Sequence, residues 1–272
     1  MTTQELQAVC RQVRRDIVEM TTAAASGHPG GSLSAVELTV GAFYHAMRVN
    51  PADPHWEDRD RFVLSKGHVS PCYYGVLAER GFFPREELKT FRQLHSRLQG
   101  HPDAKKLPGV DASTGSLGQG VSIANGMALG AKLLGKDTKV FVLCGDGELQ
   151  EGQIWEAFMS AAHYHLDNLT VLIDWNGLQI DGRIVDVMNP TPYDKKLEAF
   201  GYNVVTVDAH DFDSIAAGLA AARACKGRPT AIIAVSTKGK GVSFMENQAS
   251  WHGSAPDDAQ YEQAVAEIKA SL

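Results

Sequence analysis

The sequence lacks the features that mark several large classes of protein. It has only four cysteines among 272 residues, and no two of them form a CxxC pair. This spacing does not fit a disulfide framework and favours a reduced, cytoplasmic protein. No stretch approaches the roughly 18 apolar residues of a membrane span. Residues 1–20 contain acidic groups and no continuous apolar core, so we expect neither a signal peptide nor a membrane partner.

Basic residues and complete nucleotide-binding motifs are also lacking. The sequence has 26 Lys and Arg against 32 Asp and Glu, a formal net charge of −6, so we expect no nucleic-acid partner. The segment GAKLLGKD, residues 130–137, resembles a Walker A loop but ends in Asp137 instead of Ser or Thr. The glycine pairs at 118–120 and 145–147 are not continued into GxGxxG. These gaps argue against a P-loop and a classical dinucleotide site.

What the sequence does contain is an alternation of short strand-like runs with helix-like segments. We predict strands at residues 61–64, 140–144, 169–174, 203–207 and 230–235. Such alternation predicts an α/β protein with three layers, α/β/α, around a mostly parallel sheet. No repeat, low-complexity tract or linker interrupts the pattern, so residues 1–272 are predicted to form a single domain.

Two segments are predicted to be irregular, and each carries a histidine. Residues 26–34, SGHPGGSLS, are rich in Gly and Pro and contain His28. Residues 95–120 offer little regular structure and contain His101; an irregular segment of this length in a compact domain is usually functional or disordered. A lone histidine in a loop is most often only a solvated polar side chain. His28, and His68 in a similar loop before a helix, therefore do not indicate a site when each is taken alone. The glycines and the single His101 of residues 95–120 favour a ligand-lining loop over a linker.

The strongest signal lies between Lys139 and Gly177, a predicted βαβ unit. Asp146 follows the first strand between two glycines, and Asn176 follows the second strand. Parallel sheets bind ligands at the carboxyl ends of their strands, and glycines let a ligand approach the backbone closely. One carboxylate, one amide oxygen and a turn carbonyl suit a hard octahedral cation such as Mg²⁺. A GDG tripeptide alone is a common turn, so the hypothesis depends on its pairing with the later asparagine.

Seven motifs taken together resemble the amino-terminal half of transketolase. In order they are SGHPGGSLS, DRFVLSKGH, the GHP of residues 100–102, TGSLGQG, GDGELQEG, DWNGLQIDG and WHGSAP. The GDG–Asn pair is itself similar to the diphosphate-binding motif of thiamine diphosphate enzymes. The resemblance covers about residues 10–256. It implies the thiamine diphosphate-binding fold, with thiamine diphosphate and Mg²⁺ as cofactors.

The resemblance implies five residues that hold the metal and the diphosphate. Asp146 and Asn176 match the side-chain metal ligands, and the carbonyl of Leu178 matches the third protein ligand. Gly147 matches the glycine whose amide contacts the diphosphate. Lys238 lies where some members of the family have a lysine near the same group.

The resemblance also implies four catalytic histidines. His28 and His101 match histidines that contact the sugar hydroxyls and move protons. His68 and His252 match histidines near the diphosphate and the reacting carbon. Imidazoles suit this work, because a histidine with its ordinary pKa near 6.5 can both accept and return a proton at neutral pH.

Three further residues complete the implied site. Gly115 and Leu117 lie where the TGxLGQG loop of the family touches the thiamine rings. Glu151, placed among the cofactor-site residues, matches an acidic residue at the subunit interface. The glutamate that activates the aminopyrimidine ring belongs, in transketolases, to a second thiamine-binding domain that these motifs do not include.

The implied function is that of the small subunit of a two-chain transketolase. Such an enzyme moves a two-carbon ketol unit from a ketose or its phosphate to an aldose, as in the pentose phosphate pathway. The implied partner is a chain that carries the pyrimidine-binding domain, in an α2β2 assembly. The alternatives are a transketolase-like enzyme for a branched or sulfonated ketose, a 2-oxoacid decarboxylase or dehydrogenase component, and a non-catalytic cofactor-binding or assembly protein.

Overall fold

A computed structural model describes residues 1–270, which fold into seven strands and ten helices. The strands are β1 Arg61–Leu64, β2 Val140–Gly145, β3 Leu169–Trp175, β4 Leu178–Gln179, β5 Gly182–Arg183, β6 Asn203–Asp208 and β7 Thr230–Val235. The helices are α1 Thr3–Ala23, α2 Pro29–Ser34, α3 Val36–Gly41, α4 Ser70–Glu79, α5 Gln119–Leu133, α6 Gly152–His163, α7 Ile184–Val187, α8 Tyr193–Phe200, α9 Phe212–Ala224 and α10 Asp258–Ala270. Short 3₁₀ turns include Gly67–Val69 and Ala249–His252.

The central sheet has the strand order β1-β2-β3-β7-β6, and all of its neighbouring strands are parallel. A separate two-stranded antiparallel ribbon pairs β4 with β5. The predicted strands are confirmed, with β2, β3 and β6 each one residue longer than expected. Because all five strands of the central sheet run the same way, their carboxyl ends share one edge.

Helices cover both faces of this sheet, which confirms the three-layer architecture. Alternate residues of β2 enter different cores: Phe141 and Leu143 belong to the cluster with α1, α3, α4 and α9. Val140 and Val142 belong to the cluster with α5 and α6. Strands buried on both faces need apolar residues at successive positions, which explains the continuous apolar runs in the sequence.

The first helix begins with a capping box. The Thr2 hydroxyl accepts the Glu5 N–H, and the Glu5 carboxylate accepts the Thr2 N–H. The apolar stripe of this helix is buried, as its helical spacing predicts. No helix within residues 1–270 is long and apolar enough to cross a bilayer.

The prediction that residues 26–34 form a loop was partly wrong. Pro29 begins α2, since proline suits the first turn of a helix. The Ser32 hydroxyl donates to the His28 carbonyl at 2.7 Å. Gly30 is buried, and a β-carbon there would stand 2.8 Å from the Trp251 carbonyl oxygen. The glycines thus permit close packing of a helix and do not mark a loop. The irregular segment predicted at residues 95–120 is confirmed as far as residue 118, and α5 then begins at Gln119.

Candidate active site at the carboxyl edge of the sheet

Four adjacent strands each end in residues that converge on one cavity. Lys66 and His68 follow β1, Asp146 follows β2, Asn176 follows β3 and Lys238 follows β7. The cavity has a volume of about 190 Å³. It is lined by nine of the predicted site residues: His68, Leu117, Asp146, Gly147, Glu151, Asn176, Leu178, Lys238 and His252. The parallel sheet therefore places residues from Gly31 to His252 around one space.

Asp146 lies buried at the centre of this edge. Its Oδ1 accepts the Gly147 N–H at 2.8 Å, and its Oδ2 accepts the Gly177 N–H at 2.5 Å. Burial and the neighbouring Asp174 carboxylate raise the pKa of Asp146 to about 7. Ionising this buried carboxylate costs free energy, and a cation beside it would lower that cost. Asp146 is therefore well suited to bind a cation.

Asn176 and Leu178 present two further oxygens near Asp146. The Asn176 amide nitrogen donates to Asp174 at 3.3 Å, which orients the Asn176 Oδ1 away from that carboxylate. The same Oδ1 accepts the Leu178 N–H at 3.1 Å. The Leu178 carbonyl oxygen lies 3.3 Å from Lys238 Nζ, so this carbonyl already faces a positive charge.

Lys66 and Asp174 form a buried ion pair beneath the cavity that the sequence analysis missed. Their side chains are 2% and 0% exposed, and the Lys66 ammonium donates directly to Asp174 Oδ2. The hydroxyls of Ser34 and Ser236 donate to the same carboxylate. Burial alone would raise the pKa of Asp174, but Lys66 and the two hydroxyls lower it below its ordinary value. Lys66 lies in the motif DRFVLSKGH and Asp174 in the motif DWNGLQIDG. Their positions in these motifs are the only feature of the sequence that could have indicated a role for them.

We expect Lys66→Met to lower the free energy of unfolding by about 3–5 kcal/mol, because removing one partner leaves the other charge buried and unpaired. Lys132→Met is the matched control. Lys132 pairs with Asp167 at 2.6 Å in a partly exposed setting, and such surface pairs contribute about 1 kcal/mol or less. Urea denaturation followed by circular dichroism measures both. Equal losses in the two variants would contradict the structural role of the buried pair.

Three of the four predicted histidines form a compact cluster. The ring centroids of His28 and His68 are 5.0 Å apart, those of His68 and His252 are 5.1 Å apart, and those of His28 and His252 are 5.5 Å apart. Burial and then the nearby cations lower the pKa of all three, to about 4 for His28 and about 3 for His252. All three are therefore neutral at pH 7. The buried Nδ1 of His28 has no hydrogen-bond partner within residues 1–270, so the hydrogen-bonding capacity of this atom is unsatisfied.

His101 lies apart from this cluster, on the irregular segment. A β-carbon at Gly115 would stand 3.0 Å from Cδ2 of His101, so the imidazole packs against the glycine backbone. Gly115 has a φ of +147°, which a larger residue would adopt only with strain. Burial and then the charge of Arg92 lower the pKa of His101. His101, Gly115 and Leu117 thus belong to one loop beside the cavity, and Glu151 is exposed at its rim.

Glu148 holds three of the site loops together and was not predicted. The Ser65 hydroxyl donates to its Oε1 at 2.5 Å, and the Gly118 N–H donates to the same atom at 2.9 Å. The Gly145 N–H donates to Oε2 at 3.1 Å. This single buried carboxylate therefore joins the ends of β1 and β2 to the TGSLGQG loop. The sequence shows Glu148 inside the motif GDGELQEG, but it does not indicate which residues Glu148 binds.

The residues present fit a divalent cation and an anionic ligand. Residues 1–270 contain no cluster of three or more His, Cys, Asp or Glu side chains that could hold a metal. A cation at Asp146 would therefore depend on the amide and carbonyl oxygens of Asn176 and Leu178, a set that suits Mg²⁺ with water or phosphate oxygens completing the shell. Lys238, which lines the same cavity, supplies positive charge for a diphosphate.

Comparison with known proteins agrees with this site. Residues 3–271 match the family described as transketolase, thiamine diphosphate binding domain. The chain belongs to the transketolase family. The resemblance found in the sequence is thus confirmed, and thiamine diphosphate is the cofactor of this domain.

The relatives include both complete transketolases and separate subunits. The apulose-4-phosphate transketolase subunit of Actinobacillus succinogenes is 40% identical over 266 residues, covering 97% of this chain and 96% of that protein. The 6-deoxy-6-sulfo-D-fructose transketolase subunit SqwG of a Clostridium species is 38% identical, covering 97% and 96%. Transketolase of Homo sapiens is 40% identical, covering 99% of this chain but 43% of that protein. In sequence length and similarity, the chain matches the separate subunits nearly end to end.

Solved structures of transketolases share the fold. The Campylobacter jejuni enzyme has a TM-score of 0.92 and 36% identity, covering 99% of this chain and 43% of that one. The Pichia stipitis enzyme, in complex with sedoheptulose 7-phosphate, has a TM-score of 0.93 and 33% identity, covering 97% and 40%.

Proposed function

We propose that this chain is the diphosphate-binding subunit of a two-chain transketolase that transfers a two-carbon ketol unit between sugars. The observation that supports this most is the cavity at the carboxyl edge, where a buried carboxylate, two oxygens and two lysines meet a cluster of neutral histidines. The near end-to-end match with separate transketolase subunits supports the two-chain form. We propose the cytoplasm as its location, and residues 1–272 as a single domain.

Asp146, Asn176 and the Leu178 carbonyl would hold Mg²⁺, and the Gly147 amide with Lys238 would hold the diphosphate. The carbon chemistry of ketol transfer is supplied by thiamine diphosphate when it is bound. Gly147 lines the cavity, and a β-carbon there would stand 3.3 Å from the Gln179 β-carbon, so a glycine lets a ligand approach the backbone closely. Gly115 and Leu117 would pack against the thiamine rings from the TGSLGQG loop.

The histidines would orient the sugar and move its protons. A neutral imidazole is the form that accepts a proton from a hydroxyl group, and burial keeps His28, His68 and His252 in that form. His28 would bind a sugar hydroxyl through its imidazole. His101 would act from the opposite loop, where it is fixed against Gly115.

A partner chain would cover the open side of the site. The rim segment that follows β4 exposes Ile180 and Met188, whose side chains are 66% and 65% exposed, and also Val185 and Val187. Contiguous apolar groups of this kind mark interaction surfaces. We propose that the pyrimidine-binding chain docks here, next to the cofactor and Glu151, in an assembly with two copies of each chain.

A second candidate within the same chemistry is ketol transfer from an unusual ketose instead of a pentose phosphate pathway sugar. The names of two subunit-length relatives refer to apulose 4-phosphate and to 6-deoxy-6-sulfo-D-fructose. A screen of the assembled enzyme with ordinary, branched and sulfonated ketoses against several aldose acceptors tests both candidates. Failure of every ketose in the presence of bound cofactor would contradict the proposed transferase function.

We expect His101→Ala to reduce kcat by about 10²- to 10⁴-fold, the usual contribution of a general acid–base group. Cofactor affinity should change little, because His101 lies outside the cavity that the metal ligands line. His55→Ala, at an exposed histidine that lies outside the seven motifs, is the control. Steady-state kinetics and cofactor titration of the assembled enzyme measure the two quantities. An unchanged kcat would return His101 to the class of solvated loop histidines.

A further inference from the structure

Arg92 joins the two loops that carry the sugar-facing histidines. Its Nη1 donates to the Ser26 hydroxyl at 2.8 Å, two residues before His28. On its other side the guanidinium packs against Gly100, where a β-carbon would stand 2.9 Å from both Cζ and Nε. Gly100 immediately precedes His101. One side chain therefore touches both loops within two residues of their histidines.

The local backbone is shaped to place Arg92 there. Its φ is +59°, a left-handed conformation that is uncommon for a long side chain. The Arg92 N–H donates to the Leu98 carbonyl at 2.9 Å, which closes the loop that follows. Gly27 packs over the preceding residue, since a β-carbon at Gly27 would stand 3.5 Å from Phe91 Cε1. Strained conformations of this kind persist where surrounding structure holds them, and they cluster at functional sites.

The charge of Arg92 is not neutralised by any carboxylate of residues 1–270 within 4.0 Å. Its buried Nε has no hydrogen-bond partner in the same part of the chain. The buried guanidiniums of Arg14 and Arg59 differ, since each binds a carboxylate, Glu37 and Asp111 respectively, at 2.6 Å. A partly buried cation without a counter-charge acts on the ionisable groups nearest to it.

We propose that Arg92 is a positioning residue for the sugar end of the site: it ties the His28 loop to the His101 loop, and its positive charge adds to burial in disfavouring protonation of both imidazoles. This inference rests on the proposed roles of His28 and His101 in ketol transfer. It assigns to Arg92 no direct contact with substrate.

The other charges around these histidines act in the same direction. Arg92, His101 and Lys238 each lower the pKa of His28, in addition to burial. His68 and His252 contact the His28 ring from two further loops, and neither brings a negative charge. For His101, Arg92 is the charge that lowers its pKa. His28 retains Lys238 as a second cation, so His101 should respond more strongly to the loss of Arg92.

The first test is a histidine NMR titration of the full chain without cofactor or partner. The variant is Arg92→Asn, because asparagine tolerates a left-handed backbone and carries no charge. Without the positive charge of Arg92, protonation of His28 and of His101 becomes easier. The pKa of His101 should therefore rise by about one unit, the lower end of the effect of a nearby charge, and that of His28 by less. His28→Asn and His101→Asn assign the signals.

Two further variants separate the effect of the Arg92 charge from the effect of its hydrogen bond to Ser26. Arg92→Lys keeps the charge and should leave both pKa values near those of the parent chain. Ser26→Ala removes the hydrogen bond that bridges the loops but keeps the charge, so it should also leave them unchanged. If Arg92→Asn does not fold, Arg92→Gln takes its place in the comparison. Unchanged histidine pKa values in the charge-free variant, or equal shifts in Arg92→Lys, would overturn the inference.

The second test is the pH profile of kcat/KM in the assembled enzyme. In Arg92→Asn the acid limb should move upward by up to about one pH unit, since the bases become protonated at higher pH. In Ser26→Ala the limb should stay in place while KM for the ketose rises, because the His28 loop loses its anchor. If the acid limb of the kcat/KM profile does not move in Arg92→Asn, the electrostatic role of Arg92 is contradicted. An inactive assembly whose chain still shows the NMR shifts would count against the proposed transferase function and leave the inference standing.

Discussion

Mg²⁺-dependent binding of thiamine diphosphate is expected to disappear in the Asp146→Ala variant. Asp146 is the sole carboxylate among the three proposed metal ligands, and burial together with the neighbouring Asp174 carboxylate raises its pKa to about 7. Asn176 and the Leu178 carbonyl provide only neutral oxygens, which alone bind Mg²⁺ weakly. Isothermal titration with thiamine diphosphate at several Mg²⁺ concentrations measures the loss.

The same substitution should also affect folding, which the sequence did not suggest. The two carboxylate oxygens of Asp146 accept the N–H groups of Gly147 and Gly177. Removing both acceptors should cost about 1–3 kcal/mol for each amide that stays buried without a partner. Asp146→Asn keeps one acceptor oxygen and the side-chain size, so it separates the loss of charge from the loss of structure.

The control for both variants is Asp186→Asn. Asp186 is an exposed carboxylate near the same edge that pairs only at 3.7 Å with Arg183. Its loss should leave both cofactor binding and stability unchanged. A folded Asp146→Asn chain that binds the cofactor with the same Mg²⁺ dependence as the parent would refute the metal assignment.

The second large effect concerns the partner: this chain alone should show no ketol transfer and should gain it on mixing with a second chain. The residues at the cavity account for the metal, the diphosphate, the thiazolium side and the sugar. None of the proposed roles supplies an acid against the aminopyrimidine ring, which transketolases take from their second thiamine-binding domain. The exposed apolar rim at Ile180 and Met188 is where that domain would dock.

The experiment is to purify the chain free of any partner and assay ketol transfer with thiamine diphosphate and Mg²⁺, before and after adding the second chain. Turnover of the lone chain at roughly 1 s⁻¹ or more, the lower end of ordinary enzyme rates, would refute the two-chain proposal. Ile180→Asp should prevent the gain on mixing, because it places a charge in the apolar rim. Leu133→Asp, at an exposed apolar residue at the end of α5, is the matched control.

Local patterns were sufficient to predict the strands and the edge at which ligands bind. The runs at β2, β3 and β7 are apolar at successive positions, which is required of strands buried on both faces. The helices between these strands indicate that the strands are parallel. Parallel strands have their carboxyl ends at the same edge of the sheet, which is the edge that binds ligands. Asp146 and Asn176 were found because each immediately follows a strand, so sequence position alone placed them at that edge.

Chain order could not predict which separate loops pack against one another. The ion pair between Lys66 and Asp174 joins positions 108 residues apart, and Glu148 binds Ser65 and Gly118 across two loops. Neither arrangement has a sequence period or a motif of its own. The segment at Pro29–Ser34 was taken for a loop because its glycines were read as turn residues, whereas packing against Trp251 makes them part of a helix.

By itself, therefore, the sequence determined the parallel α/β sheet, the ligand-binding edge and, through seven motifs, the transketolase family. These properties depend on short-range patterns and on motifs whose spacing survives in the linear chain. Only the tertiary structure decided which side chains are buried together and hence their charge states. It gathered His28, His68 and His252 from three loops and placed His101 against Gly115. It also placed Arg92, which has no carboxylate partner among residues 1–270, in contact with both the His28 loop and the His101 loop. Sequence order could not predict these arrangements, because burial and electrostatic interaction depend on distance in space and not on separation along the chain.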